Sequence, residues 1–159
     1  MATPATLALH LPDEEATAAL GRVLAATVRR GDCVLLEGPI GAGKSHLARA
    51  AIQTLLAEDG RMEDVPSPTY TLVQTYDTAR GPVWHADLYR LGDAGETAEL
   101  GLDEALGTGI VLVEWPDRMA PVPGALRVTL AAEGAGRAAL LTGGPRWAPV
   151  LAALAEPAR

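Results

Sequence analysis

Gly38-Pro39-Ile40-Gly41-Ala42-Gly43-Lys44-Ser45 decides how this chain is read. Lys44 is the only lysine in 159 residues, and every other basic side chain except the three histidines is arginine. In G-x-x-x-x-G-K-[ST] each fixed position has a mechanical reason. The glycines let the backbone turn tightly, so that successive N–H groups point at phosphate oxygens. The lysine adds a compact positive charge for the β- and γ-phosphates, and the serine offers a hydroxyl to magnesium. A helix starting here adds its positive dipole end to the same anion. The competing reading is an ordinary strand-to-helix turn with a solvated lysine.

The flanks favour the phosphate loop. Cys33-Val34-Leu35-Leu36-Glu37 reads as a short apolar strand running into it. Beyond it, Leu47, Ala48, Ala51, Ile52, Leu55 and Leu56 recur at helical spacing until Gly60. Strand, glycine loop, helix is the context that the motif requires.

Length and composition bound the rest. A chain of 159 residues with 48% hydrophobic and 21% charged residues fits one globular domain, taken here as residues 1–159. No apolar run approaches the roughly 18 residues of a membrane span. The first dozen residues lack a basic segment followed by an apolar stretch, so a cytoplasmic protein is expected. Cys33 is the sole cysteine, which excludes an internal disulfide and any Cys-x-x-Cys metal or redox site. The net charge of −7 argues against a chain that holds nucleic acid alone through phosphates. With 4% aromatics and no phenylalanine, little material exists for stacking bases.

The remaining pattern predicts alternating elements. Thr6 to His10 alternates weakly as a first strand. Asp13 precedes a helix whose expected stripe is Ala16, Ala19, Leu20, Val23, Leu24 and Val28, ended by Gly31-Asp32. Pro66-Ser67-Pro68 forbids helix. Tyr70 to Tyr76 and Val83 to Leu88 read as a hairpin around Arg80-Gly81-Pro82. Ala94 to Leu106 carries helical turns interrupted by Gly101. Ile110-Val111-Leu112-Val113 has the continuous apolar character of a strand buried on both faces. After a proline-rich loop, Leu126 to Leu130 and Arg137 to Leu141 are two more strands, and Pro145 to Glu156 closes as a helix. This order predicts an α/β fold, a mixed β-sheet flanked by helices.

Phosphate-loop proteins also need an acid near the end of a buried strand for magnesium or its waters. Glu114 follows four apolar residues and would emerge beside the loop, unless it is simply a surface acid at a strand terminus. Asp87, within Trp84-His85-Ala86-Asp87-Leu88-Tyr89-Arg90, sits in an apolar strand where a carboxylate must find a donor or a cation. Arg90 is the bland partner for it. Ser67-Pro68-Thr69-Tyr70-Thr71 reads either as a switch loop sensing the γ-phosphate or as an ordinary proline turn.

The glycine loop, Ser67-Pro68-Thr69-Tyr70-Thr71-Leu72-Val73, His85-Ala86-Asp87-Leu88-Tyr89-Arg90 and Val113-Glu114-Trp115-Pro116 together resemble the TsaE (YjeE) family. Members are bacterial P-loop ATPases required for threonylcarbamoyladenosine in transfer RNA. The resemblance spans Leu11 to about Leu141. It implies ATP and Mg2+ as cofactors, with Gly41, Ala42, Gly43, Lys44, Ser45 and His46 around the phosphates and Ser45 with Glu114 at the metal. It further implies Asp87 in catalysis, Thr69 in a switch loop, and nucleotide contacts from Glu14 and Arg137. The implied partner is a TsaB–TsaD-type threonylcarbamoyl-transferase complex, through which transfer RNA would be met; the isolated protein is expected to be a monomer. Departures from the family pattern are Pro39-Ile40 for Asp-Leu, Ser45-His46 for Thr-Thr, and Ala86 for a common Phe. Serine keeps the ligand oxygen, whereas His46 removes a second hydroxyl. Trp115, beside the expected metal ligand, reads as a relay to partners or as plain core.

Three other readings use the same loop. A small-molecule kinase generally closes an arginine-bearing lid, and the arginines here are scattered, with Arg80 alone in a turn. A GTPase reading guanine through Asn-Lys-x-Asp is disfavoured because the chain has no asparagine. A non-catalytic nucleotide-binding adaptor stays open, since hydrolysis depends on the two acids.

Overall fold

The computed structural model describes residues 4–68, 71–90 and 100–156. Thr69 of the expected switch loop, and the first part of the helical stretch expected from Ala94, lie outside them. Seven strands form one sheet in the order β1-β7-β6-β2-β5-β4-β3. They are β1 (Ala5–Leu11), β2 (Cys33–Glu37), β3 (Val73–Thr78), β4 (Gly81–Asp87), β5 (Ile110–Glu114), β6 (Leu126–Glu133) and β7 (Gly136–Gly143). The helices are α1 (Glu14–Thr27), α2 (Lys44–Glu58), α3 (Leu102–Thr108) and α4 (Ala148–Ala155). The centre of the sheet is parallel, β2 pairing with β5 and β6, and β4 with β5. Both margins are antiparallel hairpins or returns, β3 on β4 at one side and β6, β7 and β1 at the other. The α/β sheet expected from the sequence is therefore present, with mixed pairing.

Apolar side chains alternate between two clusters. Val34 and Leu36 of β2 join Leu112, Leu126 and Val128 in the larger one, which α1, α2 and α4 cover. Cys33 and Leu35 join Val111, Val113 and Ala86 in the smaller one, which α3 covers through Leu102 and Ala105. Helices thus lie on both faces, and β5 is buried along its whole length. Because residues two apart share a face, His85 and Asp87 of β4 line up with Leu112 and Glu114 of β5, their register partners. That row lies on the α2 side of the sheet. It is apolar along most of its length and turns polar at the carboxyl ends of the strands.

The ends of α1 and α2 show opposite designs. Asp13 caps α1 by accepting from the Ala16 N–H at 2.8 Å, and Glu14 and Glu15 complement the dipole. α2 begins on Gly43, which gives no side-chain cap, and its first turn carries no acid. Such a start suits a ligand anion rather than the chain's own carboxylates.

The buried face of α1 differs from the expected stripe. Thr17, Ala18, Leu20, Gly21, Leu24 and Ala25 are buried, whereas Val23 is 41% exposed. Gly21 rotates the helix this way by bringing its backbone against α2; a Cβ there would lie 2.5 Å from the Leu47 carbonyl oxygen. Arg80, in the β3–β4 turn, donates to the carbonyls of Ala25, Ala26 and Val28 and pairs with Glu58. It ties the carboxyl ends of α1 and α2 to the hairpin.

Candidate active site

The loop between β2 and α2 makes the floor of a cleft of about 570 Å³. Asp13, Glu14 and Thr17 from the start of α1 line one side, and Asp87, Tyr89, Glu114 and Trp115 the other. The segment from Ala135 to Arg137 closes a third. Its volume lies in the range of small-molecule sites, and its place at the carboxyl ends of parallel strands is where open α/β sheets bind ligands.

The loop's shape follows from its glycines. Gly38 has φ 139° and Gly43 φ 104°, in the left-handed region that side chains resist. At Gly38 a Cβ would also stand 2.3 Å from the Leu130 carbonyl oxygen, so only glycine fits where the loop leaves β2. Lys44 folds back over this turn. Its Nζ donates to the carbonyls of Gly38 at 2.5 Å and Pro39 at 2.9 Å, and lies 4.0 Å from the Trp115 ring centroid. Burial lowers the Lys44 pKa, while the charges of Glu114 and Asp87 act in the opposite sense. The cation is thus partly stripped of water and held by neutral acceptors and one aromatic face.

Ser45 and Glu114 meet directly, the Ser45 Oγ donating to Glu114 Oε1 at 2.7 Å. A hydroxyl that gives its proton to a carboxylate keeps its lone pairs for a cation. On the far carboxylate oxygen, His85 Nε2 lies 2.7 Å from Glu114 Oε2. Both side chains are almost wholly enclosed, at 1% and 2% exposure. Asp87, buried at the end of β4 and in register with Glu114, accepts from the Tyr89 N–H at 3.0 Å through Oδ1. Among the described residues no group of three His, Cys, Asp or Glu could hold a metal alone. A serine hydroxyl and one carboxylate are instead a hard-oxygen set of the kind that takes Mg2+ together with substrate phosphates and water.

Arg137 closes the loop from β7. Its Nε donates to Ala42 O at 2.9 Å, Nη2 to Gly41 O at 2.9 Å and Nη1 to Gly136 O at 3.1 Å. The fork fixes the peptide planes of Gly41 and Ala42 through their carbonyls. His46, where a second hydroxyl was expected, has its Nε2 3.1 Å from the Glu14 carbonyl oxygen. It ties the start of α1 to α2. Trp115 has φ 61° and ψ 56°, an uncommon conformation for a bulky residue, directly before the one-turn helix Pro116–Arg118. Its ring lies between Lys44 and Tyr89, 4.8 Å from the latter's centroid.

Of the residues singled out in the sequence, Glu14, Gly41, Gly43, Lys44, Ser45, His46, Asp87, Glu114 and Arg137 all line this one cleft. Ala42 is buried beneath it, and Thr69 lies outside the described residues. Sequence reasoning gave no role to His85 or Tyr89. The i, i+2 spacing of His85 and Asp87, which puts both on one face of β4, was the available signal.

Residues 11–139 match the family described as "Threonylcarbamoyl adenosine biosynthesis protein TsaE". The chain belongs to the TsaE family. It is 40% identical over 109 residues to the "tRNA threonylcarbamoyladenosine biosynthesis protein TsaE" of Rickettsia felis, covering 69% of this chain and 62% of that one. The protein of the same name from Haemophilus influenzae is 34% identical over 119 residues, covering 71% and 73%. The chain thus spans less than two thirds of the Rickettsia relative's length. In fold the agreement is fuller. The crystal structure of Bacillus subtilis YdiB superposes with a TM-score of 0.72 at 25% identity, covering 97% of this chain and 96% of that one.

Proposed function

We propose that this TsaE-family chain binds ATP with Mg2+ in the cleft over the glycine loop and hydrolyses it. In this reading the nucleotide cycle serves threonylcarbamoyladenosine modification of transfer RNA adenosine 37, by driving a TsaB–TsaD-type transferase complex. The observation that carries the nucleotide part is the convergence of Lys44, Ser45 and Glu114 at the uncapped start of α2. The names of the Rickettsia and Haemophilus relatives support the pathway.

The residues present fit both cofactors. Lys44 would exchange the carbonyls of Gly38 and Pro39 for phosphate oxygens, replacing neutral acceptors with charged ones. Ser45 and Glu114 would hold the magnesium ion, which when bound supplies positive charge at the β- and γ-phosphates. Arg137 keeps the loop in its binding shape, and Glu14 borders the cleft as a further nucleotide contact. Asp87 lies beside Glu114 with one oxygen oriented by the Tyr89 N–H, placed to order a water or take its proton. Arg80, the lone arginine of the β3–β4 turn, is committed to capping the end of α1 and is not placed to serve a kinase lid.

A net charge of −7 fits a chain that meets transfer RNA through other subunits. Among the described residues no helix is long and apolar enough to cross a membrane, and we place the chain in the cytoplasm as part of this proposal. Slow hydrolysis alone and stimulation by partners are expected, because stabilising charge from a finger residue is worth roughly 10³–10⁵ in rate. Multiple-turnover modification of transfer RNA, reconstituted with the partner complex with and without this protein, tests the reading. Product accumulation beyond one turnover only in its presence supports it; equal yields without it, and no stimulated ATP hydrolysis, would overturn it.

A further inference from the structure

His85 is enclosed in the α2 side of the sheet, and the hydrogen bond that engages it runs from Nε2 to Glu114 Oε2 at 2.7 Å. Its other nitrogen, Nδ1, is buried with no hydrogen-bond partner among the described residues. A histidine that served packing alone would bury two polar atoms where an aliphatic side chain buries none. The bond to Glu114 is what this histidine provides. The arrangement also assigns its form. Glu114 already accepts from Ser45 on Oε1, and an ionised carboxylate only accepts, so the proton of the shared bond sits on Nε2.

We propose that His85 is the positioning residue of the magnesium site: its Nε2–H fixes the Glu114 carboxylate so that Ser45 and Glu114 present their oxygens to the ion together. The inference rests on the proposed nucleotide site and deepens it. Two donors on two different oxygens set the plane of the Glu114 carboxyl group. With Ser45 alone, the group can rotate about its last torsion, and the hydroxyl moves with it. Partners behind a metal ligand typically change metal affinity by about 10–100-fold when removed. His85 reaches neither substrate nor metal and acts only through Glu114.

The test measures magnesium rather than turnover. Binding of a fluorescent non-hydrolysable ATP analogue is followed as magnesium chloride is titrated, in the unaltered protein, in His85→Phe and in His85→Gln. Phenylalanine keeps a flat ring, somewhat larger than imidazole, and removes the donor; glutamine keeps an N–H at a similar reach. His85→Phe should raise the half-saturating magnesium concentration by about 10–100-fold, with analogue affinity in EDTA changed little. His85→Gln should recover most of the loss. An unchanged magnesium dependence in folded His85→Phe would overturn the inference alone. Failure of the unaltered protein to bind the analogue with or without magnesium would overturn the proposed function as well. Should His85→Phe fail to fold, nitrogen NMR of the unaltered, metal-free protein decides, since the chain has only three histidines. A protonated Nε2 at His85 supports the proposal, and a bare Nε2 overturns it.

Discussion

Ser45 lies in the first turn of α2 and Glu114 closes β5, and a 2.7 Å hydrogen bond joins them across 69 residues of sequence. The contact exists because β2 and β5 are parallel neighbours, with Leu36 opposite Glu114. The loop that leaves β2 therefore delivers Ser45 to the end of β5. Glu114→Gln keeps the shape and the acceptor for Ser45 but removes the charge. It should lower the affinity for magnesium in the nucleotide complex by at least about tenfold. Magnesium titration of analogue binding checks this; wild-type dependence would move the metal ligand elsewhere.

Arg137→Ala removes three donors from the carbonyls of Gly41, Ala42 and Gly136. Each net hydrogen bond is worth about 0.5–1.5 kcal/mol, and the loss falls on loop order rather than on the core. ATP affinity should drop about tenfold or more with little change in melting temperature. Arg137→Lys should rescue poorly, because an ammonium cannot reproduce the planar fork. Calorimetric titration and a thermal melt separate the two effects.

Gly21→Ala tests the packing that turned α1 from its expected face. The new Cβ would meet the Leu47 carbonyl oxygen at 2.5 Å, an encounter with backbone that no rotamer relieves. Overpacking of this kind costs about 1–3 kcal/mol. Urea unfolding should show that loss, although alanine is the better helix former.

Much of the fold was legible because its signals were local. Continuous apolar runs marked β2 and β5, and Asp13 marked the start of α1. What was not legible depends on neighbours far away in sequence. Val23 matched the helical stripe by spacing, yet a close helix contact at Gly21 turned it outward. Asp87 and Glu114 were each recognisable as acids in apolar strands, but their registration came only with the β4–β5 pairing. His85 looked like part of a motif with no task until Glu114 appeared beside it. Arg80 read as a lone turn residue, and its three carbonyl partners lie at the carboxyl end of a helix, more than fifty residues earlier.

Cys33 gives a pH signature. Burial first, and the charge of Asp32 second, push its thiol up from 9.0 to about 12. Between those values the unfolded chain has lost the thiol proton and the folded chain retains it. The folded state then binds more protons, so stability falls as pH rises through this window, by about 1.4 kcal/mol per unit. Cys33→Ala should be somewhat less stable at pH 8 and should decline less steeply from pH 9 upward. Unfolding curves at pH 8, 9.5 and 10.5 compare the slopes. Equal slopes would show that the thiolate is not excluded.

The account stands or falls on the phosphate loop. The deciding measurement is calorimetric titration of ATP with magnesium into the unaltered protein and into Lys44→Ala, with a thermal melt of each. Losing one charge-assisted contact removes about 1.5–3 kcal/mol, so the account predicts saturable binding to the first and affinity one to two decades weaker in the second, both folded. Equal ATP affinity in the two folded proteins would contradict it.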